Sequence, residues 1–345
     1  MAITYTPSMY TGDRFTEIYK DVLFANNTLR NQRVRLMDDI KFQRTLTSLN
    51  GSIVIQPFTS ARPAPAGSMN FGDSLIKPVK ATIYDQFDPE VIYRRTVFAE
   101  TLPKGVQNIV SEEGNQMILA YVVELASRAQ EIAFWGGISA DTKAAVAAGP
   151  NAGLTTAAEK TYVAALTANT YGFDGLISKL IIQTLTPAGT PEQVDTILVT
   201  GTTLSAGNIL VELNKVYSAI PQEIKYARDT NSPLNDLAIF ADYSVRDLVL
   251  GFNEAQQFRG DLITVAGDTF AFRGVPIYFV PMPTPNTMIA ANRDELIWGT
   301  DVSGDVAGYI EIGPLEAFSY IQAYRMDFAI ASAVVKAQRK VLYLA

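Results

Sequence analysis

SEEGNQMILAYVVELASRAQEIAFWGG, residues 111–137, is the clearest helix in this chain and the part around which the rest can be placed. Ser111 can cap the first turn, and Glu112 and Glu113 suit the positive end of a helix dipole. Ile118, Val122, Leu125, Ala129 and Ile132 recur at four-three-four-three spacing, which predicts one apolar stripe on a spine helix over 111–135. Gly136-Gly137 supplies the stop. At 1.5 Å per residue the helix is roughly 37 Å long, longer than the average globular helix.

The 110 residues before the spine have a different texture. Residues 1–50 read as an arm with one short helix, in which Phe15, Ile18, Tyr19 and Val22 follow helical spacing until Asn26-Asn27. In residues 51–100, β-branched Ile53, Val54 and Ile55 precede Pro57, and Arg62 to Gly67 is too proline-rich for regular helix. Two strand-like runs, Leu75 to Tyr84 and Val91 to Phe98, flank the turn signal Asp85-Gln86-Phe87-Asp88-Pro89. Together they predict an extended, irregular β-hairpin loop with little core of its own. Such extensions are mobile or pack on another chain.

After the spine, residues 139–172 are rich in Ala, Thr and Gly and read as a loop or hairpin with weak helix content. From Asp174 onward helix and strand alternate. Helices are expected over Leu176 to Leu185, after Ser205 and after Asp242. Strands are expected at Thr196 to Thr200, at Leu237 to Phe240, and in short runs from Thr287 to Tyr324. Phe272 to Val280 contains Gly and Pro and therefore reads as an edge strand. Phe328 to Lys336 and Arg339 to Leu344 close the chain and are expected to pair beside the spine.

Composition narrows the function by exclusion. The 345 residues contain no histidine and no cysteine. That removes Ser-His-Asp triads, Cys-His pairs, disulfides, iron–sulfur clusters and His- or Cys-ligated metals. Hydrophobic residues make up 48% of the chain and charged residues 18%, against roughly 25% charged in ordinary soluble domains. A folded protein with so few charges is expected to have part of its surface covered by partners. The net charge of −7 and pI near 4.9 argue against a general nucleic-acid binder. The basic stretch Arg30, Arg33, Arg35, Lys41 and Arg44 faces only Asp38 and Asp39. It reads as a solvated face or an arm lying on a neighbour, with phosphate contact as the other reading. Met1 to Met9 has no basic or apolar signal region. No window approaches the ~20 apolar residues of a membrane span, so no membrane partner is expected.

Short motifs add no chemistry. Gly201 to Gly207 has Asn208 where a phosphate loop needs Lys, and its glycines are one residue too far apart. It reads as a strand-to-helix turn. Ser74-Leu75-Ile76-Lys77 matches S-x-x-K, but it lies in a strand-like run before Pro78 and no K-T-G is present. Glu112 and Glu113 point in different directions on a helix. No catalytic, cofactor-binding or metal-binding residue is expected.

The order of parts resembles the major capsid protein of tailed bacteriophages, the Hong-Kong-ninety-seven-like fold shared with encapsulins and the herpesvirus capsid floor. Three stretches carry the likeness: the spine end Ala129 to Gly137; Asp236-Leu237-Ala238-Ile239-Phe240-Ala241-Asp242 followed by a short helix; and Phe272-Arg273-Gly274-Val275-Pro276-Ile277 leading through Pro281-Met282-Pro283 to Met288-Ile289-Ala290-Ala291-Asn292. The resemblance implies an α+β, phage-capsid-like fold. Its parts would be an N-terminal arm (1–50), an extended β-hairpin loop (51–100), a peripheral domain with the spine helix (101–172), an α+β axial domain (173–320) and C-terminal strands returning to the peripheral domain (321–345).

The same resemblance implies a structural role in the virion capsid, assembled in host bacterial cytoplasm. Pentamers and hexamers of the chain would build an icosahedral shell around double-stranded DNA without reading its sequence. Scaffolding, portal and decoration proteins would be separate partners. The arm begins almost at once, so a long scaffolding segment of the kind some relatives carry is expected as a separate chain or already removed. Arg30, Arg33, Arg35, Arg44, Arg62, Lys77 and Phe87 are the candidate inter-subunit contacts. The spine stripe is expected to face the strands near Phe328 to Val335. An encapsulin-type compartment is the nearest alternative, and a carboxylate- or Ser–Lys-dependent hydrolase is the alternative from another class.

Overall fold

A computed structural model describes residues 8–11, 13–52, 54–58, 64, 66, 68–88, 112–148, 157–168, 172–185, 196–229, 236–255, 263–266, 269–301, 309–314, 321–335 and 340–345. The N-terminal region holds β1 (Ser8–Tyr10), α1 (Asp13–Ala25), the single turn α2 (Asn27–Arg30) and β2 (Arg35–Met37). Strands β3 (Arg44–Ser52), β4 (Ser68–Ile76) and β5 (Val79–Phe87) follow. Four helices come next: α3 (Glu112–Gly136), α4 (Ala140–Ala148), α5 (Ala157–Ala165) and α6 (Leu176–Leu185). The remainder is β6 (Ile197–Thr200), α7 (Ile209–Ala219), α8 (Gln222–Asp229), β7 (Leu237–Asp242), α9 (Tyr243–Ala255), β8 (Ile263–Ala266), β9 (Thr269–Phe272), β10 (Val275–Val280), β11 (Met288–Asn292), β12 (Leu296–Thr300), β13 (Ile310–Pro314), β14 (Gln322–Val334) and β15 (Val341–Leu344).

A seven-stranded sheet, ordered β6-β15-β11-β7-β10-β9-β8, separates two apolar cores. Alternate residues of its central strands go to opposite sides. Ala238, Phe240, Ile289, Ala291, Leu342 and Leu344 join the core that includes α1, α3 and α6. Leu237, Ile239, Ala241, Met288, Ala290, Val341 and Tyr343 join the second core, under α7 and α9. A sheet covered on both faces needs continuous apolar strands rather than alternating ones. Leu237 to Ala241 and Met288 to Ala291 have that character, and all are buried.

The other large sheet is ordered β1-β13-β14-β12-β2, with β5 also paired to β14. Ile330 pairs with both Thr300 of β12 and Val79 of β5, so these strands lie on opposite edges of β14. Met326, Phe328 and Ile330 face the first core, where Phe328 stacks on Tyr19 of α1 with centroids 6.0 Å apart. Ala331 and Ala333 face the other way, into a small third cluster with Ile40, Ile76 and Ile297.

The structure corrects the sequence reading at six places. First, the spine stripe curls. Ile118, Val122, Ala126, Gln130 and Phe134 are buried at a constant spacing of four, whereas Leu125, Ala129 and Ile132 are exposed. A helix packed obliquely on its neighbours makes contact along its i±4 ridge. The nearest neighbours of α3 are α1 and α6, and buried Ala126 and Phe134 share one core with Phe328, Ile330 and Val334 of β14. Second, residues 139–172 contain the two helices α4 and α5. Ala is the strongest helix former, and buried Val146, Tyr162 and Val163 anchor them. The Ser139 hydroxyl caps α4 by accepting from the Thr142 amide at 3.2 Å.

Third, Phe272 to Val280 is a hairpin, not one edge strand. Arg273 (φ 49°) and Gly274 (φ 75°) make its two-residue turn, as left-handed pairs do in tight hairpins. β10 then runs in the sheet interior, parallel to β7. Pro276 is tolerated because pairing with β7 begins only at Ile277. Fourth, the long hairpin consists of β3 and β4, paired over nine positions from Arg44↔Ile76 to Ser52↔Ser68. It therefore starts inside the stretch read as the arm, and β5 pairs with β14 instead. Fifth, much of that stretch belongs to the body: Phe15, Tyr19, Val22 and Leu23 are core residues. Sixth, the C-terminal strands separate. β14 belongs to one sheet, and β15 lies between β6 and β11 in the other. Residues 91–98, Arg62 and Ser111 lie outside the described residues.

Candidate assembly surfaces

The β3–β4 ribbon has exposed apolar residues on one face that the described residues leave uncovered. At its root Ile76 is buried with Ile40 and Ile297. Further out, Met69, Phe71 and Leu75 lie on one face of β4, with Asp73 between the last two, and all three apolar side chains are exposed, Phe71 to 69%. Beyond β3, Ile55 and Phe58 are exposed to 95% and 96%. A two-stranded ribbon without a second layer is marginal in water. An apolar stripe on it describes a surface shaped for contact.

The spine offers a second apolar surface. Tyr121, Leu125, Ala129 and Ile132 lie on the outward side of α3, with Tyr121 exposed to 62% and Leu125 to 42%. The line read as one core stripe is therefore split: Ile118 and Val122 enter the core, and Leu125, Ala129 and Ile132 face outward. The signal was present in the sequence, since the helix carries two apolar lines. Spacing alone does not say which of them a partner within the chain will cover.

The basic candidates divide. Arg30, Arg35, Arg44 and Lys77 are exposed, and Phe87 is half-buried. Arg33 is half-buried and turns inward against this chain's own strands. One of its terminal nitrogens donates to the Phe279 carbonyl at 2.6 Å, and its guanidinium stands 5.2 Å from the centre of the Tyr278 ring. Burial lowers the Arg33 pKa, opposed by the charge of groups including Glu131. Glu131 is itself buried and fastens the spine to α2. Its carboxylate accepts from the Thr28 amide at 2.8 Å and the Thr28 hydroxyl at 2.5 Å, and Trp135 Nε1 donates to that hydroxyl at 3.0 Å.

Glu212 and Lys340 are tied in a similar way. Glu212 accepts from Lys215 at 2.8 Å, from Thr202 at 3.1 Å and from the Tyr343 hydroxyl at 2.9 Å. Burial alone would raise its pKa, but these hydrogen bonds together hold it below the usual value. The contact locks α7 to β15. Lys340 donates to Glu295 at 2.8 Å in the body. Ser74 is half-buried in β4, while Lys77 lies exposed just beyond the end of that strand. The pair lacks the helix-start setting of a Ser–Lys nucleophile. Among the described residues no group of three or more Asp and Glu could hold a metal ion, and no helix is long and apolar enough to cross a membrane.

A long spine helix, a two-stranded ribbon and a lobe whose central sheet is covered on both faces are the parts of a phage-capsid fold, and one solved structure supports that fold. The chain is similar to a protein of the satellite phage P4 procapsid including size determination (Sid) protein, with a TM-score of 0.58 at 10% identity over 99% of this chain and 93% of that one. The capsid of a native GTA particle gives a TM-score of 0.49 at 11% identity, over 94% of this chain and 90% of that one. Gordonia phage Cozz gives 0.48 at 12% identity, over 92% and 86%. No family model and no curated protein sequence matches the chain.

Proposed function

We propose that this chain is a major capsid protein of a tailed phage, a structural subunit that self-assembles as pentamers and hexamers into an icosahedral shell around double-stranded DNA. The observation that carries the reading is the exposed apolar face of the ribbon, Met69, Phe71 and Leu75, on a chain with the fold of a procapsid protein. The ribbon lies across a neighbouring copy, and the outward stripe of its α3 is the apolar surface available to receive it. Arg30, Arg35, Arg44, Lys77 and Phe87 contribute contacts around that seam. The acidic chain encloses DNA without gripping its sequence. Scaffolding, portal and decoration proteins act as separate partners, and the subunit performs no catalysis. The P4 likeness is to a phage procapsid, which favours the phage capsid over an encapsulin. Negative-stain electron microscopy of the purified chain, alone and with its virion, tests the reading. Closed shells or capsomers are expected. A chain that stays monomeric at every concentration, and is absent from the virion shell, would overturn it.

A further inference from the structure

Consecutive strands fall in different large sheets at β11–β12 and at β14–β15. The two passages run side by side. At one end β11 pairs with β15, from Met288↔Tyr343 to Ala290↔Val341, and at the other β12 pairs with β14, starting at Leu296↔Val334. The first passage is a single 3-10 turn, Arg293–Glu295. Val335 and Lys340 stand at the two ends of the second, next to β14 and β15.

Polar contacts hold this crossing. Arg293 donates from its amide to the Asp236 carbonyl at 3.0 Å and from Nε to the Asp236 carboxylate at 2.7 Å, just ahead of β7. The Glu295 carbonyl accepts from the Val335 amide at 2.9 Å. The Lys340 ammonium donates to the Glu295 carboxylate at 2.8 Å and to the Val335 carbonyl. The other Glu295 oxygen accepts from Asn292 Nδ2 at 3.4 Å. The Lys340 side chain is fully buried, and that of Glu295 is 11% exposed. One cation therefore touches the end of β14 and the turn between β11 and β12 from the start of β15.

Stability alone does not explain an ion pair in this place. Apolar residues of like volume fill buried sites as well or better. The two sheets also share the first core already, Ile289 and Leu342 from one and Trp298 and Phe328 from the other. Apolar contact is non-directional, however, whereas a charge-assisted hydrogen bond has a preferred length and angle. We propose that the Lys340–Glu295 pair is a hinge pin: the shared core holds the two large sheets together, and the pair sets the angle at which they meet. Hinges are built from a few residues at element ends, and Asn292, Glu295, Val335 and Lys340 all stand at or next to strand ends. The inference concerns the single subunit and does not depend on the capsid reading.

The chain has no cysteine, so Thr82→Cys and Ser218→Cys create two unique labelling sites, both at exposed positions. Thr82 lies on β5 in one sheet, and Ser218 lies on α7, which Glu212 and Tyr343 fasten to β15 in the other. With nitroxides attached and an excess of unlabelled chain present, double electron–electron resonance reads the distance within one subunit. The labelled parent should give one narrow distance. Adding Glu295→Leu/Lys340→Met should leave a cooperative melt close to that of the parent, while the distance shifts or broadens by about 2 Å or more. An unchanged distribution in the folded apolar pair would overturn the proposal, because core packing alone would then fix the angle. A broad distribution in the parent would overturn it too, because the pin would then fix nothing. If the apolar pair does not fold, Glu295→Gln takes its place, with the same shift expected and an unchanged distribution again overturning the proposal.

Discussion

A carboxylate placed at two neighbouring positions of α3 should give opposite results. Val122 is 3% exposed and faces the first core, while Leu125, three residues on, is 42% exposed on the outward side. Val122→Asp removes a buried side chain worth about 1.5–3 kcal/mol. It also leaves an unpaired charge whose effective burial penalty is several kcal/mol. The sum, on the order of 5 kcal/mol or more, is comparable with the whole stability of a domain, roughly 5–15 kcal/mol. Leu125→Asp keeps its charge in water and forfeits only about 1 kcal/mol of partial burial. The first variant should be insoluble or lack a cooperative melt. The second should be soluble with a near-normal melt and near-ultraviolet circular dichroism, yet form no shells by electron microscopy, because the carboxylate meets the neighbour's apolar ribbon. An unfolded Leu125→Asp would show that the stripe is packed within the chain. Normal shells from it would show that no neighbour covers the stripe.

Met69→Ser/Phe71→Ser should leave the thermal melt of the subunit within about 1 kcal/mol, since both side chains are exposed, and should abolish shells seen by microscopy. Gly175→Ala should lower the urea midpoint by the equivalent of roughly 1–3 kcal/mol. A Cβ there would fall 2.7–2.8 Å from the backbone of Ala133, Phe134 and Gly137, which has no side chain to move aside. Lys179 should make stability rise with pH. Burial, offset only in part by Asp174, depresses its pKa from 10.5 to about 8. Between those values the unfolded chain binds more protons than the folded one, so unfolding costs more as pH climbs. Urea titrations from pH 7 to 9.5 should show that rise in wild type and a flatter profile in Lys179→Met; parallel profiles would refute the assignment.

How much of this was legible depended on what each residue's neighbours in sequence could reveal. Leu237 to Ala241 announced a strand because both of its faces are buried and no polar residue interrupts it. The first helix was legible because Phe15, Tyr19 and Val22 repeat on one face. Its burial in the body was not, because nothing local distinguishes an amphipathic arm from an amphipathic core helix. Residues 139–172 misled through composition. Alanine and threonine look like a linker, and the buried apolar anchors among the described residues are few: Val146, Tyr162, Val163 and Leu166. The turn at Arg273-Gly274 was hidden because arginine gives no warning of a left-handed backbone. Arg33 was read as a surface charge, and only the tertiary structure brings Phe279 and Tyr278 to it. Of the assembly surfaces, the sequence yielded a projecting hairpin but placed its strands too late, because the Pro78 break falls where continuous β structure was read.

The body and the ribbon solve the problem of burial in opposite ways. Every strand of a stable sheet needs a layer against its apolar face. In the body that layer is internal: alternate residues of β7, β11 and β15 enter two cores, and helices close both sides. Among the described residues the ribbon has such a layer at its root, where Ile76 meets Ile40 and Ile297. Scattered exposed apolar residues need no explanation on a soluble protein. Met69, Phe71 and Leu75 are not scattered, because the period of two puts them on one face. Among the described residues no second layer covers them, and the proposed function supplies it from a neighbouring copy. The outward line of α3, Tyr121, Leu125, Ala129 and Ile132, is itself uncovered. A contact between two different surfaces of one chain is heterologous, and it propagates from copy to copy until the rotation closes a ring. In the assembly proposed above, the ribbon of one copy on the α3 line of the next would be such a contact, and rings would follow where the rotation closes.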